Sequence, residues 1–133
     1  MSGKSNFLEL ELLDHVFGGA DWARPATVYI ALYTTAPGDA GGGVEVSGGS
    51  YARLAVTNNA TNFPAAAGDG AKANGTVFTF AQATADWGLV AAFAIFDAIA
   101  GNMLYWGLVT PNRSVPNGAV ASFAVGELDI TED

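Results

Sequence analysis

The sequence predicts a mainly β protein, an antiparallel β-sandwich of jelly-roll or immunoglobulin-like type, with about seven or eight strands and one short N-terminal helix. Three observations carry this. Short β-branched and aromatic segments recur along the chain, and glycine-rich turns separate them. Half of the residues are hydrophobic, yet many are alanine, and 17 residues are glycine, a mixture suited to close contacts between strands. Only one segment has helical spacing. At 133 residues the chain fits a single domain over residues 1–133, with the helix at about 6–18 and strands from about 26 to 131. Roughly 68% of the unfolded surface of such a chain is buried on folding, enough for a core without covalent staples.

The helix lies in "SNFLELELLDHVFGG". Asn6 is placed to cap it, with Glu9 three residues on as the return partner of a capping box. Glu9, Glu11 and Asp14 complement the positive end of the helix dipole, and His15 stands in the last turn, where a cation is favoured. Leu10, Leu13 and Phe17 recur at three- and four-residue spacing, and Gly18 and Gly19 supply the stop. Such a helix needs a surface to lie on.

Strands follow. Ala26 to Thr34 alternates Val28, Ile30 and Leu32 against Tyr29, Ala31 and Tyr33, so both of its faces are apolar. Ala36 to Gly43 reads as an exposed loop, and Tyr51 to Thr57 as a second strand. Asn58 to Asn74 reads as a loop too poor in large apolar groups to pack. Thr76 to Phe80, Leu89 to Phe96 and Asn102 to Val109 are further strands, the middle one buried on both faces. In "AVASFAVGELDIT" the alternation changes phase between Phe123/Val125 and Leu128/Ile130, which predicts a β-bulge near Gly126.

Composition narrows function. Thirteen acidic residues against five basic ones give a net charge of −8, and Lys4, Arg24, Arg53, Lys72 and Arg113 stand singly. Direct nucleic-acid binding requires clustered cations, so neither nucleic acid nor an anionic membrane is an expected partner. Without cysteine there is no disulfide, thiolate metal site or cysteine nucleophile. No signal peptide is visible, and the most apolar run, Leu89 to Phe96, is far shorter than the ~20 residues of a spanning helix.

Chemistry-bearing motifs are weak. "SGKS" at Ser2 to Ser5 lacks the upstream glycine and strand of a phosphate loop. His15 is the only histidine, and no Gly-x-Ser-x-Gly elbow offers it a nucleophile. Glu127, Asp129, Glu132 and Asp133 read as a solvated acidic edge rather than a calcium site, and Asp69 is the one carboxylate of "GDGAKANG". The Asn-x-Ser/Thr triplets at Asn59, Asn74 and Asn112 read as turn composition. Trp22, Trp87 and Trp106 suit core or interface anchoring, with stacking on sugars as a rival. The expectation is a protein with no catalytic residues, no metal and no cofactor.

The segments "SNFLELELLDHVFGG", "PATVYIALYTTAPGDAGGGVEVSGGSYARLAV", "DWGLVAAFAIFDAIAGNMLYWGLV" and "VPNGAVASFAVGELDIT" together resemble a group of small tailed-bacteriophage virion proteins, labelled tail-fibre-like or head-decoration proteins. The resemblance covers nearly the whole chain; the run Ala65 to Gly70 departs from it. It implies a non-enzymatic structural part of a virus particle. The leading expectation is a head-decoration, or cement, protein that binds across major capsid protein joins as a homo-oligomer, with a trimer favoured. Such a protein sits on the outer capsid surface of the virion, after a passage through the host cytoplasm. A tail- or fibre-associated protein is the alternative, and a glycan-binding module the distant one. Leu10, Leu13, Phe17 and Trp22 are the expected interface anchors. Tyr51 and Arg53, which follow the Gly48–Gly49 hinge on one side of the chain, are expected either at an interface or stacked within the subunit.

Overall fold

A computed structural model describes residues 2–68 and 70–132. Asp69 and Asp133, weighed above as carboxylates, lie outside the described residues. The protein is mainly β and antiparallel throughout, with ten strands and one helix among the described residues: β1 (Ser2–Lys4), α1 (Asn6–Val16), β2 (Thr27–Thr35), β3 (Val44–Glu45), β4 (Leu54–Thr57), β5 (Ala71–Ala73), β6 (Phe78–Thr79), β7 (Gly88–Phe96), β8 (Met103–Val115), β9 (Ser122–Phe123) and β10 (Asp129–Thr131).

Six strands form one sheet in the order β1-β8-β7-β2-β3, with β4 also on β2. Strand β2 is the hub. It pairs with β7 from Tyr29↔Phe96 to Tyr33↔Ala92; its other edge takes β4 at Thr27 to Ile30 and β3 at Tyr33 and Thr35. Two small ladders, β5/β10 and β6/β9, stand outside this sheet.

The two apolar faces expected of β2 and β7 enter two separate clusters. On the inner face Val28, Ile30, Leu32, Val90, Phe93 and Ile95 meet Phe63, Phe78, Phe80, Phe123 and Leu128 from the ladders and loops, giving a sandwich-like core. On the outer face Ala31, Ala92 and Ala94 form a floor of small side chains, flanked by Tyr33, Phe96 and Met103. Alternation in these strands thus separates bulk from alanine.

Four sequence expectations are corrected. Ser5, not Asn6, caps the helix: its Oγ accepts from Leu8 N at 3.2 Å. The helix runs 6–16, with Phe17 as its extended C-cap and Gly18 and Gly19 at positive φ beyond it. Ser5 N donates to Leu104 O and Asn6 N to Asp39 O, so the end of the β1–β8 ladder decides where the helix begins. Secondly, the segment Asn58 to Asn74 does pack. Phe63 is buried with its ring 5.6 Å from that of Phe78, the segment contains β5, and Asn74 is buried. Asn74 Nδ2 donates to the carbonyls of Thr76, Phe123 and Ala124, while its Oδ1 accepts from Leu128 N at 3.0 Å. Thirdly, the phase change near Gly126 is no bulge. Glu127 N donates to Ala124 O in a turn with Gly126 at φ 82°, and the chain passes from the β6/β9 ladder to the β5/β10 ladder. Phe123 and Leu128 are buried as expected, but Val125 is 61% exposed. Finally, β8 continues past Val109 to Val115, because Pro111, which lacks an N–H, falls where the register with β7 shifts between Val90↔Arg113 and Ala92↔Leu108.

Candidate functional site

The hinge "EVSGGSYARL" builds a densely hydrogen-bonded cluster. Gly48 and Gly49 take φ of 74° and 59°, and Ser50 follows at 64°, so three left-handed residues carry the chain out of the sheet between β3 and β4. Gly49 O accepts from Trp87 Nε1 at 2.9 Å and from Thr84 N at 3.0 Å. A Cβ at Gly49 would stand 3.0 Å from Trp87 Nε1 and 3.1 Å from the Ala85 backbone, so a side chain there would be crowded as well as strained by φ. The Trp87 ring packs edge-on to Tyr51 at 5.4 Å.

Tyr51 and Arg53 meet at Glu45. Tyr51 Oη donates to Glu45 Oε2 at 2.6 Å and accepts from Leu32 N at 2.9 Å. Arg53 Nε donates to Glu45 Oε2 at 3.0 Å and Nη2 to Oε1 at 2.9 Å, a two-pronged pair. The guanidinium lies 3.7 Å from the centre of the Phe96 ring, and Nη1 donates to Ile99 O at 3.1 Å. Burial alone would raise the Glu45 carboxyl, but the hydrogen bonds from Arg53 and Tyr51 outweigh it and hold the group below its ordinary value. Burial, then the bond to Glu45, pushes the Tyr51 phenol well up. Of the two readings left open for Tyr51 and Arg53, their hydrogen bonds belong to the one within the subunit. Glu45 is a site residue that sequence reasoning missed. Its signal is a lone carboxylate on a β segment between Val44 and Val46, followed within eight residues by a tyrosine and an arginine.

The helix presents the opposite situation. Leu8 is buried and Phe7 and Leu12 pack against the core, yet Leu10, Leu13, Val16 and Phe17 are 64, 58, 65 and 72% exposed. The expected anchors therefore lie bare, and the helix is apolar on the side away from its own sheet as well as on the side facing it. Beyond it, His15 Nδ1 accepts from Trp22 N at 3.2 Å, which turns the chain back and sets Trp22 against the core.

Trp22 lines an open groove of about 520 Å³ between the helix and the β5/β10 ladder. Its lining is mainly apolar, with Leu12, Phe63, Leu104, Tyr105 and Ile130 beside Trp22, and Arg24 and Lys72 at its rim. Glu132 also reaches it, tied to Lys4 and Tyr105. Burial and the bond to Glu132 push the Tyr105 phenol up. The sequence points to Trp22 in this groove, but not to Phe63, Lys72 or Ile130, which come together only through long-range pairing.

The remaining candidates fall elsewhere. Trp87 is buried, so its faces are closed to a sugar. Trp106 sits on the outer face, its Nε1 donating to Asp39 Oδ1 at 3.0 Å. "SGKS" contributes β1 and the helix cap. Asn59 Oδ1 accepts from Thr61 N and Asn62 N in a turn of its own. Among the described residues, no group of three or more His, Asp or Glu side chains converges as a metal site would require, and no helix is long and apolar enough to cross a membrane.

Comparison with curated proteins returned no match. A family model described as podophage GP4 fiber I protein gp80 matches residues 3–131, nearly the whole chain and every strand and helix except the first residue of β1. The chain belongs to that family, and is a bacteriophage virion structural protein.

Proposed function

We propose that this protein is a fibre- or tail-associated structural subunit that works by fitting against neighbouring chains and catalyses no reaction. The match over residues 3–131 carries the reading, because the family's description names a fibre. That description favours the fibre alternative over the head-decoration reading. The exposed Leu10, Leu13, Val16 and Phe17 support an assembly role, since contiguous apolar side chains on a small acidic protein mark a surface that another chain covers. The partners of the protein are copies of itself and other virion proteins.

Immunogold labelling of intact virions with an antibody to this chain tests the proposal. Gold clustered at the tail or its fibres is the expected result. Gold spread over the head would restore the decoration reading, and particles without label would remove both.

A further inference from the structure

The bare helix face and the groove are matched in polarity and opposite in charge. Leu10, Leu13 and Val16 form a projecting apolar strip, extended by Phe17, and Glu9 and Asp14 flank it on the helix surface. The groove is concave and apolar, within the ~300–1,000 Å³ range of sites that accept inserted groups, and its rim carries Arg24 and Lys72. Neither cation is paired with a carboxylate among the described residues, although Lys72 Nζ donates to Pro64 O at 2.9 Å, whereas Lys4 and Arg53 are paired with Glu132 and Glu45. Glu132 also lines the groove but is tied to Lys4, so Arg24 and Lys72 leave a local positive excess there in a chain of net charge −8. A helix cannot enter the groove of its own subunit with the face that points away from that subunit.

We infer that the strip Leu10, Leu13, Val16 and Phe17 of one copy seats in the groove of a second copy, with Glu9 and Asp14 facing Arg24 and Lys72. The contact is heterologous: each copy offers a helix face to one neighbour and a groove to another. It closes into a ring or continues as a stack, according to whether the rotation between copies closes. The inference deepens the assembly reading above and rests on it in taking another copy as the neighbour, but its test is independent of where the protein sits in the virion.

Sedimentation velocity of the purified protein over a concentration series reads the contact. The wild type self-associates, and the helix-face variant Leu13→Asp/Phe17→Asp and the variant Ala66→Trp, at a residue that lines the groove, each sediment as monomers with unchanged circular dichroism. Mixed together, those two variants form a dimer that grows no further, because one retains a groove and the other a helix face. Arg24→Glu/Lys72→Glu weakens association by about tenfold or more, and mixing it with Glu9→Lys/Asp14→Lys recovers most of that loss. A wild-type protein that stays monomeric at every concentration would assign the groove to a different virion protein and overturn the inference. So would association that survives both blocking variants, or blocked variants that fail to pair. Gold at the fibres together with a monomer would refute this contact alone. Self-association together with gold on the head would refute the fibre placement alone.

Discussion

The Gly48–Arg53 hinge and the N-terminal helix each carry large amphipathic or apolar side chains, and the fold treats them oppositely. At the hinge, Tyr51 and Arg53 converge on Glu45, and Trp87 is bonded to Gly49, so polar and aromatic groups are satisfied within the subunit. Along the helix, Leu8 alone is buried, and the strip on the opposite side is left largely exposed. The difference teaches that residue type does not mark an interface. A tyrosine beside an arginine suits a docking surface equally well, but an acid within reach claims both. What marks a surface for a partner is apolar area left over once the subunit's own core is complete.

The sharpest way to break this comparison is at the hinge. Trp87 is 5% exposed and links β7 to the Gly48–Gly49 turn. Trp87→Ala is expected to cost about 3–5 kcal/mol, by the cavity it leaves and the hydrogen bond to Gly49 O that it removes. A urea titration followed by circular dichroism measures it. A loss of under about 1 kcal/mol would mean that the hinge is loosely held and that its side chains are free for partners after all.

Glu45→Ala comes next, at about 2 kcal/mol, since it leaves Tyr51 Oη without its acceptor and Arg53 with only Ile99 O. It carries a pH signature. The Glu45 carboxyl is held below its ordinary 4.5 in the folded state, so the protein binds that proton less tightly folded than unfolded. The stabilisation is therefore complete above the ordinary value and fades as pH falls through the lower, folded one. Acid titrations of the wild type and Glu45→Gln are expected to converge towards low pH and to separate at neutral pH. Parallel curves would mean that the Glu45 charge does not hold the hinge together.

Legibility in the sequence follows the same division between local and long-range causes. Strands β2 and β7 are readable because nine-residue apolar alternation is a local pattern, and the two-faced burial of β7 follows from its lack of polar positions. Strands β5 and β10 are not readable as a pair. Ala71–Ala73 has no β-forming signal of its own and exists because Asp129–Thr131 lies beside it, with Asn74 clamping the turn at Leu128. The helix is legible to within two residues at its end, but its cap is misplaced by one. Ser5 and Asn6 are both good caps, and the choice rests with the bond from Ser5 N to Leu104 O, ninety-nine residues along the chain. The anchors Leu10, Leu13 and Phe17 are visible by spacing. The groove is not, since its walls come from six separate stretches of sequence.

A smaller effect is expected at the helix root. Ser5 is buried, its Oγ donates to Met103 O and accepts from Leu8 N, and it joins the helix to β8. Ser5→Ala is expected to cost about 1–2 kcal/mol, through the lost cap and the unpaired carbonyl. Hydrogen exchange should then show the helix amides opening ahead of those of β7, which remain protected by the sheet. Equal acceleration in both would mean that the helix is part of the cooperative core rather than a docked appendage.

The smallest effect on stability belongs to the residues with the largest part in assembly. Leu13→Asp and Phe17→Asp replace side chains that are 58 and 72% exposed, so each is expected to change the unfolding free energy by no more than about 0.5 kcal/mol. Aspartate this late in a helix meets the negative end of the dipole, which adds a few tenths of a kcal/mol against folding. Loss of apolar area from a largely exposed face adds little. Chemical denaturation at a protein concentration low enough to keep the wild type monomeric isolates this intrinsic cost. At high concentration the wild type should gain stability by mass action while the variants do not, so the two sets of curves diverge as protein is added. Divergence with concentration would separate a surface built for a neighbour from one that merely tolerates water. Curves that stay superposed would place the helix strip in the second category, and leave the hinge as the better-defined of the two regions.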